Sequence, residues 1–448
     1  MDVKLIKHNR HSFITSHFRF SLLAFLVGVL ANQTINILGT LKAGELLAFF
    51  YLLFINKKVA ISKVPASIFF AAIAWSVAQL LSDVINKTEL TDAVKGIGAP
   101  LVFLVTLTGL IAFLTRSTRR LPSFLLGLPI GALADLLLNP RGHYLAGANP
   151  WKWGFESIVS SLALIIYSFI IEPKLRSPRK VNIGDLLYLF VVIILTVVSL
   201  GNESRSSLIS PVIFIGYLFL RTGKLNRYIN LARYISPKTF VKPFALVIIA
   251  FLIGNIALTA VFQNSFVLSL MPQSSQAKTI EQSSNQWGLL FGGRTEIFAS
   301  AQAFLDKPLL GHGSWAKDPI GFYTTLRSDR LSESGQDVNY DRLDYILSSS
   351  DKLLIPAHSY LFGGLVWAGI MGGIFWIIVL SYVIRTLLNN YEILSYYFFA
   401  QGYGLIWSIF FSPFGYSSRF NTAIFMAVLI SEVCFSNSLS APGLKQQA

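Results

Sequence analysis

A chain of 448 residues in which 53% are hydrophobic and 13% are charged falls far short of the roughly 25% charge of an ordinary soluble domain. With a mean hydropathy of +0.58, the composition excludes a water-soluble enzyme, and fibrous and disordered classes with it. The formal net charge of +15 would point to nucleic acid until its location along the chain is known. The single cysteine, Cys434, has no partner within the chain, so no disulfide framework holds the fold.

Apolar runs of spanning length fall near residues 20–38, 39–55, 65–84, 96–114, 121–138, 155–171, 185–200, 207–220, 242–263, 356–381, 392–411 and 421–437. They predict an all-α fold, a polytopic membrane helix bundle of about 12 transmembrane helices. Several runs are nearer 15 residues than 20, and the fifth, seventh and eighth leave room for tilted, broken or shortened helices. The basic start (Lys4, Lys7, Arg10, Arg19) reads as the cytoplasmic flank of an uncleaved first helix, because eleven further runs follow it.

Alternating from that start puts 22 Lys/Arg on the cytoplasmic side and 15 outside, eight of those 15 in one long loop; among short loops the ratio is 22 to 7. That bias predicts both termini inside. Counting acids as well, the cytoplasmic side carries +17 and the outer side −2, so the basic excess orients the chain against a membrane and the nucleic-acid reading falls away.

The division expected is transmembrane helices 1–9 over 1–263, an extracytoplasmic loop region over 264–355, helices 10–12 over 356–438 and a disordered cytoplasmic tail over 439–448. The loop is polar, with ten Asp/Glu against eight Lys/Arg, and its stretch 294–305 has apolar residues at helical spacing. Loops of this length are usually functional.

Three polar clusters fall at the outer membrane surface. In the turn 201–207, Glu203 and Ser204 precede Arg205, whose planar guanidinium matches phosphate oxygens in pairs; pairing of Arg205 with Glu203 or with lipid headgroups is the alternative. In 291–296, Gly293 and Arg294 lead into the loop helix, followed by a glycine-flanked His312; a glycine pair before a helix suits an anion and equally marks a plain turn. In 356–360, His358, Ser359 and Tyr360 open the tenth run. A histidine there can take a proton from an attacking hydroxyl, and as a lone interfacial residue it can also be structural. Asp135 and Glu156, costly in lipid, are expected to face the bundle interior or a wet cavity, whereas Asp83, Glu89, Asp92 and Lys95 are expected to pair among themselves. No GxxxxGK[ST], HExxH or CxxC is present, so neither an ATP phosphate loop nor a metal or redox centre is expected.

The arginine turn after the seventh run, the GGR…PLLGHGS segment and the long loop between the ninth and tenth runs resemble the O-antigen ligase and O-antigen polymerase superfamily, most strongly over 195–380. His358-Ser359, nine residues, Gly369, two residues and Gly372 fit the ligases' His-[Asn/Ser/Gln]-x9-Gly-x-x-[Gly/Thr/Tyr] pattern throughout. Their Arg-x3-Leu pattern is met in part: Ile209 stands four residues after Arg205, with Leu208 one position early.

The resemblance implies a glycosyltransferase at the periplasmic face of a bacterial inner membrane, passing a glycan from an undecaprenyl diphosphate donor to an acceptor hydroxyl without cofactor or metal. It assigns Arg205 and Arg294 to the diphosphate and His358 to the base, with His312 as rival base. Glu203 and Tyr360 would orient Arg205 and His358, and Ser204, Gly293 and Ser359 would line the substrate. The acceptor would be the lipid A core for a ligase, or a second lipid-linked glycan for a polymerase. A transporter of lipid-linked glycans is the reading from another class, which expects related halves and charges at mid-membrane; a non-catalytic assembly protein is a third.

Overall fold

The computed structural model describes residues 21–36, 39–55, 61–138, 149–175, 180–202, 204–223, 241–284, 288–289, 294–333, 338, 343, 347 and 353–440. Among them the chain is mostly helical, and each of the twelve apolar runs contains helix. Six helices are long and apolar enough to cross a membrane: Ala66–Ile85 (α3), Leu90–Leu114 (α4), Arg120–Leu138 (α5), Ile183–Gly201 (α7), Ile370–Asn389 (α14) and the final helix Tyr416–Ser440 (α16). The 22-residue Val241–Phe262 (α9) and the shorter helices Leu22–Ala31 (α1), Ala43–Leu53 (α2), Glu156–Ile166 (α6), Ile209–Arg221 (α8) and Tyr396–Phe411 (α15) complete the bundle. The polar stretch after α9 is partly helical, with Gln273–Ser284 (α10), Glu296–Asp306 (α11) and Phe322–Glu333 (α12); Tyr360–Ala368 (α13) follows it.

The surface of these helices is inverted relative to a protein in water. On α3, Phe70, Val77, Leu81 and Val84 recur at helical spacing and are exposed, whereas Ala71, Ala78, Gln79 and Ser82 on the other face are buried. On α7, Leu186, Phe190, Ile194 and Val197 point outward while Asp185, Thr196 and Ser199 are buried. Water would favour the reverse; a hydrocarbon solvent favours this arrangement, since helices there gain by packing small and polar faces together.

The first two runs are not two full helices. α1 and α2 have 10 and 11 residues and are joined by a short antiparallel hairpin, Thr34–Asn36 (β1) with Thr40–Lys42 (β2). The hairpin bonds its own backbone, and buried charges anchor it. Lys42 Nζ reaches Asp135 Oδ2 at 2.9 Å, Thr34 N and Oγ1 donate to the same carboxylate at 3.0 and 2.7 Å, and Glu45 takes both Nε and Nη2 of Arg419 at 2.7 and 2.9 Å. Asp135 is thus buried inside the bundle as expected. α1 crosses α5 closely because Gly28, Gly127 and Gly131 face each other's backbones; a Cβ on Gly131 would lie 2.1 Å from the Val29 carbonyl.

The tenth run also departs from a single helix. It breaks at Gly369, whose φ of +61° an L side chain would strain, and where a Cβ would meet the Leu309 carbonyl at 2.3 Å. The freed backbone groups bond to the loop 308–313: Ile370 N to Pro308 O at 2.9 Å, His312 N to Val366 O at 2.7 Å and Gly313 N to Trp367 O at 3.1 Å. α13 then folds against α14, with Gly364 and Gly372 in backbone contact. The Tyr360 ring packs tilted against Trp376, ring centres 4.9 Å apart, seven residues and so about 10 Å along α14 from the break. Non-helical backbone inside a membrane protein persists only where protein satisfies it, and here the loop does so.

Candidate functional site

His358 sits in the segment leading into α13, outside the spanning helices. Three attachments hold that segment: Ser300 Oγ of α11 donates to Pro356 O at 2.5 Å, Ile355 N donates to Ala316 O at 2.9 Å, and Ser359 caps α13. The Ser359 hydroxyl accepts from Phe362 N at 3.1 Å and donates to Ile409 O of α15 at 2.7 Å. Because α11 is one of these supports, its amino end lies beside the imidazole. Arg294, Thr295 and Glu296 come from that end, and Arg327 from α12. Arg327 Nη2 binds Glu296 Oε1 at 2.7 Å and its Nε donates to Thr295 Oγ1 at 3.4 Å.

Burial pushes the His358 imidazole below its ordinary pKa; the Arg294 guanidinium adds to that, Glu296 opposes it and Arg327 reinforces it. The ring is therefore neutral, the form that accepts a proton. Among the described residues no hydrogen bond engages either ring nitrogen of His358, and Glu296 Oε2 is buried without a hydrogen-bond partner. A free imidazole, a free carboxylate oxygen and two guanidiniums therefore share one patch, which can take a proton while stabilising an anion.

His312 differs. Its Nε2 donates to the Ala303 carbonyl at 2.8 Å and its ring packs edge-on to Tyr323 at 5.7 Å. Burial lowers its pKa too, the Ala303 bond raising it in part, but the nitrogen is spent on holding the loop to α11. The segment around it is a clasp rather than an anion cradle: Ser314 N and Oγ bind Asp83 at 2.6 and 2.8 Å, and Gln79 Nε2 donates to Ser314 Oγ at 2.9 Å. Asp83 thus serves the clasp, while Lys95 pairs with Asp92 at 3.5 Å and Lys317 with Glu89 at 2.5 Å.

Tyr360 and Ser359 are buried and occupied structurally, Tyr360 among Trp376 and Phe414 and Ser359 as the cap. Ser204 is buried in the turn after α7, its N–H bonded to Ser199 O at 2.8 Å and its carbonyl to Ser207 Oγ at 2.7 Å. The backbone of Arg205 begins a short 3-10 turn, Arg205–Leu208. Its side chain, together with Glu203 and Gly293, lies outside the described residues. Leu208 of that turn packs with Leu200, Phe262 and Leu289, which joins it to the chain that leads to Arg294.

Arg327 and Glu296 are the site residues that sequence reading passed over as such. Arg327 lies in FYTTLRSDRLSE, a polar amphipathic stretch whose pattern sets no one of its charges apart. Glu296 stood within the arginine cluster and looked like an ordinary first-turn helix acid.

The fold defines a class, a helical membrane protein, in which this charged patch lies outside the spanning helices. Compared with known proteins, the chain matches no family model, no curated protein and no solved structure.

Proposed function

We propose that the protein is a glycosyltransferase of the O-antigen ligase type, moving a glycan from an undecaprenyl diphosphate donor to an acceptor hydroxyl on the lipid A core. The observation that carries the reading is the His358 imidazole, neutral and without a hydrogen bond, beside the guanidiniums of Arg294 and Arg327. The acceptor oxygen bonds to the anomeric carbon as the bond from that carbon to the diphosphate oxygen breaks. The electron pair leaves with the diphosphate, whose charge the guanidiniums carry, and the hydroxyl proton passes to His358. Arg205 joins the diphosphate through the family resemblance, and no metal ion is called for in this scheme.

In this reading twelve spans cross a bacterial inner membrane, both termini are cytoplasmic and the patch faces the periplasm, in keeping with the 22 to 7 distribution of short-loop cations. Purified protein given a lipid-linked glycan with and without lipid A core is the test. Glycan joined to core is the expected product. Lengthened glycan without core makes the protein a polymerase, and no transfer of either kind refutes the assignment.

A further inference from the structure

Beside the charged patch lies a cavity of about 290 Å³ with a different character. Its walls include Pro356, Ala357 and Ser359, the neighbours of His358 in the chain, so the imidazole stands one backbone step from it. Aromatic rings make much of the remaining wall, Trp75, Trp315, Trp367 and Phe414 with Gly363 and Gly364, and Leu354 and Ile355 add an aliphatic part. No charged side chain lines it among the described residues.

We propose that this cavity seats an uncharged sugar ring of the acceptor glycan, which deepens the transferase reading and rests on it. The lack of charge turns away the diphosphate, which the guanidinium side suits. Flat aromatic walls favour a ligand with an apolar face and polar edges. The volume is at the low end of the roughly 300–1,000 Å³ of small-molecule sites, suited to a ring rather than a polyprenyl tail.

The wall is also held at a cost. Trp315 has a φ of +50°, sparsely allowed for a bulky residue, and such conformers persist where the surroundings over-determine them. Here the clasp from Gly311 to Ser314 precedes it, Trp367 stacks on it at 4.7 Å and Lys95 Nζ stands 5.8 Å from its ring centre. His358 thus stands beside the cationic patch and is flanked in the chain by two wall residues of the neutral seat, which suits an acceptor in the seat and a departing diphosphate at the guanidiniums.

Trp315→Leu and Trp315→Phe in full-length protein in nanodiscs give the test. With saturating donor, Trp315→Leu should raise the acceptor KM about tenfold, the loss of one good stacking contact, with kcat and donor KM nearly unchanged; Trp315→Phe should recover most of it. An unchanged acceptor KM in an active Trp315→Leu enzyme overturns the seat and leaves the transferase reading standing. A second arm needs no turnover: tryptophan fluorescence is followed on adding lactose, or with phosphatidylcholine brominated along its acyl chains. A lactose response in wild type that Trp315→Leu abolishes supports the seat even if no transfer is ever seen, an outcome that sinks the transferase alone. Quenching by the brominated lipid that depends on Trp315 makes the cavity a lipid seat and overturns the proposal, as does silence toward lactose.

Discussion

Two clusters of arginines and carboxylates lie near opposite ends of α15, and their hydrogen bonding differs. At the Tyr396 end, Glu172, Asp185 and Arg221 are buried together. Arg221 forks onto Asp185 and approaches Glu172 at 3.7 Å. Tyr167 donates to Asp185 at 2.5 Å, Tyr217 donates to Glu172, and Tyr396 N donates to Glu172 at 3.2 Å. Both carboxylates there are bonded on both oxygens. About 20 Å away, thirteen residues along α15, Ile409 anchors the cap of the segment that bears His358. There the imidazole is unbonded and Glu296 retains a free oxygen. At the Tyr396 end every carboxylate oxygen is bonded and, of that cluster's charged side chains, only Arg221 Nε lacks a partner; at the Ile409 end it is an imidazole and a carboxylate oxygen that keep bonding capacity open.

That contrast can be broken most directly by exchanging which cluster is damaged. His358→Ala should lower transfer by about 10²–10⁴-fold, the usual contribution of a general base, while the unfolding midpoint in detergent stays at the wild-type value. In the wild type, the activity profile should fall only on the acid side, with an apparent pKa below 6.5, because burial and Arg294 favour the neutral ring. His312→Gln should leave that limb in place. A limb that moves with His312 and ignores His358 would exchange their roles.

Arg221→Met should do the reverse, costing about 3–5 kcal/mol of stability because two carboxylates remain buried without their cation. Adding Asp185→Asn and Glu172→Gln should recover much of the loss, measured by thermal unfolding; equal instability of the triple variant would mean the cluster does not act as a unit.

Arg294→Ala should reduce transfer about 10²–10³-fold, the range for one charge-stabilising donor. The half-exposed Arg327 should cost less, through its bond to Glu296. Both variants should unfold like wild type, and a large drop in midpoint would reassign the pair to structure. The smallest effect belongs to the exposed Lys317–Glu89 pair: Lys317→Ala should change neither midpoint nor activity measurably.

Much of this was legible from residue order. Apolar runs announced the helices, since a hydrocarbon solvent demands them locally, and His358 and Arg294 stood out because they fall in polar clusters at the expected outer surface and in the segments that carry the family resemblance. Arg327 was not legible, because a charge in a polar helix has no local mark of its neighbours. Neither was the split of the tenth run at Gly369: the glycine pattern was visible, but its reason is the loop 308–313, more than fifty residues earlier in the chain, whose backbone occupies the space a side chain would take. Residue order ranked His312 behind His358 only by pattern and by its flanking glycines; the structural difference is one hydrogen bond to a carbonyl.

By itself the sequence determined the helical membrane class, because hydropathy is a local property summed over short windows. It also laid out the charge asymmetry along the chain. Only the tertiary structure decided which polar groups are spent on one another and which are left free. That depends on distances between residues far apart in the chain, and a free imidazole beside two guanidiniums exists only after α11, α12 and α13 have been packed together.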